Sequence, residues 1–427
     1  MKIAIYGTSR SGKDYLIERI SKHLTTIGLS TYHLKGSMLL NQMSEKNYGT
    51  RFSKLNEDQK CVLRKQFIDL VNEENELNDI VFVDGHYSFL EKGQFKVVFT
   101  DADRDCYDHF FYLDTNSELI REISQRSEGE KQNLEITVED IDYWKSFEKE
   151  AMSKVCELLG KELIILDEDT NSCIEFITSW ILNFDQLYNF EKLAKSAIDS
   201  VLLDQSEAPN SALLIDCDNT ISMNDTTFVL CQELGIDKQQ LKDIYIGDRY
   251  TSYQFFKVNR MLSTFSPQEI KTAAQKAYDR IEMASKIVDL IESNKYELTL
   301  ALTSGLLDIW SHKLVNELKI DCSLGNAVFD SQLFVTPMFK KSVAMALKSK
   351  GIRVTAIGDS IIDIPMLEAS DLGILVAHSK LNKAVSSYLK KSDQSTLKQV
   401  FATKYKYSIP QISWSNQDGF NHSRKSY

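Results

Sequence analysis

Residues 212–220 read ALLIDCDNT: four apolar residues, then two aspartates, Asp216 and Asp218, two positions apart. A short apolar run that closes on acids is the pattern of a buried strand whose C-terminal end opens into a loop. On an extended chain residues two apart point to the same side, so these two carboxylates can converge on one point. Three further pieces follow downstream. The strand ELTLALTSG (297–305) ends at Ser304 and Gly305, the basic pair Lys340 and Lys341 opens a helix, and RVTAIGDSIID (353–363) carries Asp359 and Asp363 one helical turn apart. Between the two lysines, Lys340 is preferred because Val343, Ala344 and Leu347 then follow it at helical spacing.

The first half repeats the strand-then-loop pattern. KIAIYG, STYHLKG, DIVFVDGH, FKVVFT, HFFYLD and ELIILDED are apolar runs ending in small or acidic residues, mostly separated by helical periodicity. That alternation predicts βαβ units and a mostly parallel sheet, with ligands at the C-terminal strand edges. The first strand runs directly into GTSRSGKD (7–14) and then the amphipathic segment YLIERISKHL. Strand, glycine loop and helix form the context of a phosphate-binding loop: Gly7 and Gly12 allow the turn, Thr8, Ser9 and Ser11 lie between them, and Lys13 would reach the β- and γ-phosphates of ATP. Asp14 stands where Ser or Thr is usual, and a carboxylate there can still hold Mg²⁺ directly or through water.

Composition bounds the rest. A chain of 427 residues predicts two to three domains, and 43% hydrophobic residues with 10% aromatics exclude wholesale disorder. No apolar run is long enough to span a bilayer, and MKIAIYG is too short for a signal-peptide core, so a cytoplasmic location without membrane partners is expected. Seven scattered cysteines without a C-x-x-C pair read as free thiols. Residues 1–185 hold 22 basic and 34 acidic side chains, whereas 186–427 hold 28 and 27. The polar stretch DQSEAPNSA (204–212) marks a boundary, placed near 200–211. The expected organisation is a first domain over 1–185, a helical linker over 186–211, a second domain over 212–400 and a polar tail over 401–427.

Together the four pieces of the second half, DxDxT, a strand-terminal Ser, Lys and GDSxxD, resemble the motifs of the haloacid dehalogenase (HAD) superfamily. The resemblance covers roughly 190 residues and implies the following roles. Asp216 would be the nucleophile, forming an aspartyl phosphate, and Asp218 the acid and base. Mg²⁺ would sit between Asp216, the Asp218 backbone carbonyl and Asp359, with Asp363 supporting the metal and the lysine. Ser304 and the lysine would hold the phosphoryl oxygens, with Gly305 beside them. Four helical segments over about 221–285 resemble the C1-type cap of phosphoserine phosphatase and its relatives. In that family an acid nine positions after the nucleophile reads the substrate, here Asp225, with Arg260 as a cap arginine; Asp225 reads equally as a helix cap.

The GKD loop resembles those of phage deoxynucleotide kinases, animal-type phosphomevalonate kinase and ribose bisphosphate kinases. Asp84, ending IVFVD, would then bind magnesium through water or activate the acceptor hydroxyl. Arg121 and Arg126 precede the polar stretch SEGEKQN and resemble a kinase lid, where Arg126 would meet the nucleotide; a solvated helix arginine is the other reading. His86 reads as a turn or core histidine, and STYHLKGS (30–37) resembles the acceptor strand of adenylylsulfate kinases.

The expected fold is α/β, two Rossmann-like three-layer domains, a P-loop kinase fold followed by a HAD fold. The expected activity is bifunctional: an ATP-dependent kinase of a small metabolite or nucleotide with a hydroxyl acceptor, and a Mg²⁺-dependent phosphomonoesterase. Two alternatives stand. Phage-type polynucleotide kinase/phosphatases join the same domains in the same order, although an acidic kinase half would repel a phosphate backbone. Alternatively the first half is a non-catalytic nucleotide sensor, which Asp14 motivates.

Overall fold

In the computed structural model the apolar runs of the first half become β1 (Lys2–Tyr6), β2 (Thr31–Lys35), β3 (Ile80–Asp84), β4 (Ser88–Glu91), β5 (Gln94–Val97), β6 (His109–Leu113) and β7 (Leu163–Leu166). Five of them form a parallel sheet in the order β2-β3-β1-β6-β7. The strand order reverses about β1, so right-handed crossovers place helices on both faces. Accordingly β1, β3 and β6 are buried along nearly their whole length, which is why they read as continuous apolar runs. The residues described are 1–91, 93–126, 136–246, 250–293, 295–328, 333–377, 383–391 and 399–402.

FKVVFT departs from its expected place. Its first residues belong to β5, which pairs antiparallel with β4 in a separate two-stranded ribbon. Only residues 92 and 93 separate the two strands, too few for a parallel crossover, and Gly93 takes the left-handed φ of 76°.

A second parallel sheet holds β8 (Ser211–Asp216), β9 (Leu298–Leu306), β10 (Cys322–Asn326), β11 (Arg353–Gly358), β12 (Leu372–Ala377) and β13 (Gln399–Ala402), in the order β10-β9-β8-β11-β12-β13. The fold class is therefore α/β with two parallel sheets. β8 lies between β9 and β11, so Asp216, Ser304 and Asp359 emerge at one C-terminal edge. The last strand carries the sheet to Ala402, past the expected domain end at 400; residues 403–427 of the expected tail lie outside the described residues.

The chain divides between Leu182 and Asn183 into two compact units. The helix Phe190–Leu203 falls in the stretch expected as a linker, yet it is part of the second unit. Its buried Phe190, Ala194 and Ile198 form one apolar face, Phe190 lies edge-on to Phe339 at 6.2 Å, and Asp199 pairs with Lys350 at 2.6 Å. It thus backs the helix Pro337–Ser349, which carries Lys340.

Four helices, Thr226–Glu233, Lys238–Ile244, Ser252–Leu262 and Pro267–Asp279, are inserted after β8. The chain leaves and returns through paired segments: the Ala284 N–H donates to the Ile221 carbonyl at 2.8 Å, and the Met223 N–H to that of Glu282 at 2.6 Å. One apolar cluster runs from Leu213 and Ile215 in the sheet through Leu230, Leu262 and Ile270 of the insertion to Trp310. Shared burial of this kind docks the insertion on the sheet edge. All seven cysteines are free. Among the described residues no helix is long and apolar enough to cross a membrane.

Candidate active sites

The second unit brings four charged motif residues together. Thr336 caps the helix Pro337–Ser349 by accepting from the Phe339 N–H, and Pro337 begins its first turn. The buried face then runs Phe339, Lys340, Val343, Ala344, Leu347, so a lysine occupies an apolar-face position. Lys340 is 1% exposed, and its ammonium donates to Asp216 Oδ1 at 2.6 Å and Asp363 Oδ1 at 2.7 Å. Asp363 is itself oriented: its Oδ2 accepts from the backbone N–H of Asp359 (3.1 Å) and from the N–H and hydroxyl of Ser360 (3.0 and 2.9 Å). Asp216, Asp359 and Asp363 each place one carboxylate oxygen within 4.8 Å of the others.

Crowding acids in a buried place shifts their protonation. Burial, then the Asp363 charge, pushes Asp216 up to about 7 even against Lys340. Burial and the charges of Asp363 and Asp216 raise Asp359 well above the carboxylate range. For Lys340 burial alone would lower the pKa, but the charges of Asp216 and Asp363 outweigh it and raise it. Three carboxylates are hard oxygen ligands that suit Mg²⁺.

The remaining expected residues surround this cluster. The Asp218 carboxylate is turned to the inserted helices, accepting from the Thr226 N–H at 2.7 Å; burial and the Asp225 charge raise its pKa well above normal. Asp225 caps the helix Thr226–Glu233 by accepting from the Phe228 N–H at 3.2 Å, and its charge still reaches Asp218. Gly305 packs so closely that an added Cβ would stand 2.8 Å from Asp218 Oδ2 and from Thr227 Oγ1. Ser304 donates its hydroxyl to the Val335 carbonyl at 2.9 Å, and its own carbonyl accepts from Asn326 Nδ2. Arg260 lies in the last turn of the helix Ser252–Leu262. Lys341 is half-buried beside Lys340 and, among the described residues, makes no hydrogen bond to the cluster.

In the first unit the loop 7–12 joins β1 to the helix Lys13–Thr26. Gly7, Arg10 and Gly12 take φ of 151°, 67° and 89°, which curls the backbone. The Gly7 position is also cramped: an added Cβ would meet the Leu113 carbonyl at 2.9 Å. Thr8 and Ser11 are buried and Ser9 half-buried; the Ser11 carbonyl accepts from Thr115 Oγ1 at 2.6 Å. Lys13 folds back on the loop, donating to the carbonyls of Gly7 (2.8 Å) and Thr8 (3.0 Å). Burial lowers it to about 8 although Asp84, Glu148 and Asp14 pull the other way.

Asp84 is fixed by the Gly36 N–H, which donates to its Oδ1 at 2.9 Å. His33 Nε2 stands 3.6 Å from Asp84 Oδ1 and 3.7 Å from Asp14 Oδ1, so these three form a second candidate metal group. Burial and the Lys13 charge hold the His86 imidazole neutral, well below its usual pKa. Arg126 is 78% exposed and pairs with Glu122 one helical turn back at 3.3 Å. The polar stretch SEGEKQN (127–133) of the expected lid lies outside the described residues.

Two residues here were not anticipated. His33 sits on β2 two positions before Lys35, which pairs with Asp84, so strand parity was the available signal. Glu148 is fully buried and accepts from the Ser88 N–H (2.8 Å), the Tyr112 hydroxyl (2.9 Å) and Trp144 Nε1 (3.1 Å). Its cue was an acid at i+4 from Trp144 and i−4 from Met152 on one helical face.

A family model described as an AAA domain matches residues 6–158. Among solved structures, a HAD family hydrolase from Salmonella enterica serovar Typhi is similar at 20% identity and TM-score 0.33, over 42% of this chain and 65% of that one. A substrate-bound phosphoserine phosphatase is similar at 18% identity and TM-score 0.33, over 42% and 91%. The shikimate kinase of Bacteroides thetaiotaomicron is similar at 14% identity and TM-score 0.27, over 42% and 98%. No curated protein sequence matches. The match to the AAA-domain model falls within the first unit and spans the glycine loop and Lys13, and each unit is built on a parallel sheet with its motif residues at the C-terminal strand ends.

Proposed function

We propose that the chain carries two phosphoryl-transfer activities, an ATP-dependent kinase of a small hydroxyl compound in the first unit and a phosphomonoesterase in the second. The observation that supports the second activity best is the buried Lys340 ammonium bridging Asp216 and Asp363, with Asp359 in the same group. In the proposed hydrolysis an Asp216 oxygen bonds to phosphorus as the ester P–O bond breaks, and the leaving alkoxide takes the proton of Asp218. Water then bonds to phosphorus, Asp218 recovers a proton from it, and the acyl P–O bond breaks to release phosphate. Lys340 aims Asp216, and the docked helical insertion excludes bulk water. Mg²⁺, held by Asp216, Asp359 and the Asp218 carbonyl, would neutralise charge on the phosphoryl oxygens.

In the proposed kinase reaction the loop 7–12 and Lys13 hold the phosphates of ATP, and Asp84 takes the acceptor's hydroxyl proton as its oxygen bonds to the γ-phosphorus and ADP leaves. Asp14 would hold Mg²⁺ there, directly or through water. The acidity of this half opposes binding of a polynucleotide backbone. The test is Asp216→Asn: hydrolysis of p-nitrophenyl phosphate should fall at least a thousandfold with binding of an ATP analogue unchanged, and retained hydrolysis refutes the assignment.

A further inference from the structure

Beside Asp84 the first unit holds an open-mouthed cavity of about 540 Å³. Its walls come from the helices Gly36–Tyr48 and Glu57–Leu77, the turn at Phe52 and the strand β4. The rings of Tyr6, Phe52, Phe67, Phe89 and Tyr107 line it. Tyr6, Phe67 and Tyr107 are buried, whereas Phe52 and Phe89 are only half-buried and keep ring surface for a ligand. Each of these two rings is held by a polar neighbour. The Arg64 guanidinium lies over Phe52 at 5.6 Å from the ring centroid, and the His86 ring lies 4.9 Å from Phe89.

Charges in the cavity nearly balance. Arg51 and Arg64 face Glu45, Asp84 and Asp103, so the cavity offers no surplus of positive charge for a phosphate group. Its volume is that of a small-molecule site and its depth is flanked by rings, which recognise flat heteroaromatic groups by stacking at little cost in entropy. Asp84 lies where the cavity meets the phosphate-binding loop, with its carboxylate oriented by the Gly36 N–H.

We infer that this cavity receives the acceptor of the proposed kinase and that the acceptor is a nucleoside, its base packed against Phe52 and Phe89 and a sugar hydroxyl directed to Asp84. The inference rests on the kinase reading of the first unit. A nucleoside fits where its 5′-monophosphate does not, because the near-neutral lining would desolvate a dianion without compensating it. A free sugar or amino acid would leave the aromatic walls unused.

Calorimetric titration of the full chain separates these claims. The probes are adenosine, guanosine, cytidine, uridine and thymidine, their 5′-monophosphates, ribose, serine, and a non-hydrolysable ATP analogue. At least one nucleoside should bind in the sub-millimolar range, at least tenfold tighter than its monophosphate, ribose or serine. Phe52→Leu and Phe89→Leu, which keep apolar volume but remove the flat face, should each weaken it about tenfold and leave the ATP analogue unaffected. Lys13→Ala should do the reverse. Nucleosides that bind no tighter than ribose, or leucine variants that bind them as well as wild type, overturn the inference while analogue binding leaves the kinase reading standing. Nucleoside binding without analogue binding overturns the kinase reading and the acceptor role with it.

Discussion

Replacing Lys340 by methionine keeps most of the side chain's volume and removes one charge from a place sealed against water. Wild type holds two carboxylates, Asp216 and Asp363, against that ammonium at 2.6 and 2.7 Å, with the three side chains 8% exposed or less. Lys340→Met strands both acids in the interior, and breaking a buried ion pair from one side costs about 3–5 kcal/mol. For a unit of this size that corresponds to a fall of about 6–20 °C in its melting temperature. Asp216→Asn removes one of the stranded charges, so the double variant should be less destabilised than the two singles summed, with a coupling of about 2 kcal/mol. Scanning calorimetry in EDTA measures all four proteins, and hydrogen exchange of the β8 peptides assigns the transition to the second unit. A Lys340→Met protein as stable as wild type, or strict additivity of the two substitutions, would refute the reasoning.

Two other perturbations probe separate links. His109 is packed edge-on to Trp180 at 5.4 Å, and burial lowers its pKa to about 4. The unfolded chain binds its proton near 6.5, so this residue's contribution to stability is full above pH 6.5 and declines as pH falls toward 4, by about 3 kcal/mol in all. His109→Phe should flatten the urea-denaturation midpoint of the first unit over that window, and an unchanged slope counts against it. Gly305→Ala would push a methyl to 2.8 Å from Asp218 and Thr227; it should cost about 1–3 kcal/mol and lower phosphatase kcat more than KM, whereas full activity would show that this close approach is not needed.

Lys340 shows how much of the site was legible in the sequence. A lysine followed by Val343, Ala344 and Leu347 at helical spacing already pointed inward, and the structure places its ammonium on Asp216 and Asp363. The parallel sheets were equally legible, because strands covered on both faces must be apolar throughout. The reading failed where local pattern is ambiguous. An amphipathic helix such as Phe190–Leu203 looks the same whether it docks or links, and only the partner face containing Phe339 decides. FKVVFT has strand propensity in either orientation, and its pairing was set by the short turn at Gly93. His33 and Glu148 were missed because each is a single polar residue in an otherwise ordinary strand or helix, and its importance comes from residues distant in sequence.

The central claim is that Asp216 becomes covalently phosphorylated during hydrolysis. Acid quenching of the working protein with p-nitrophenyl phosphate, followed by borohydride reduction, turns an acyl phosphate into the corresponding alcohol, which peptide mass spectrometry can locate. Homoserine at position 216, absent without substrate, is the result predicted; steady hydrolysis with that aspartate unmodified, or with the modification on another carboxylate, would contradict it.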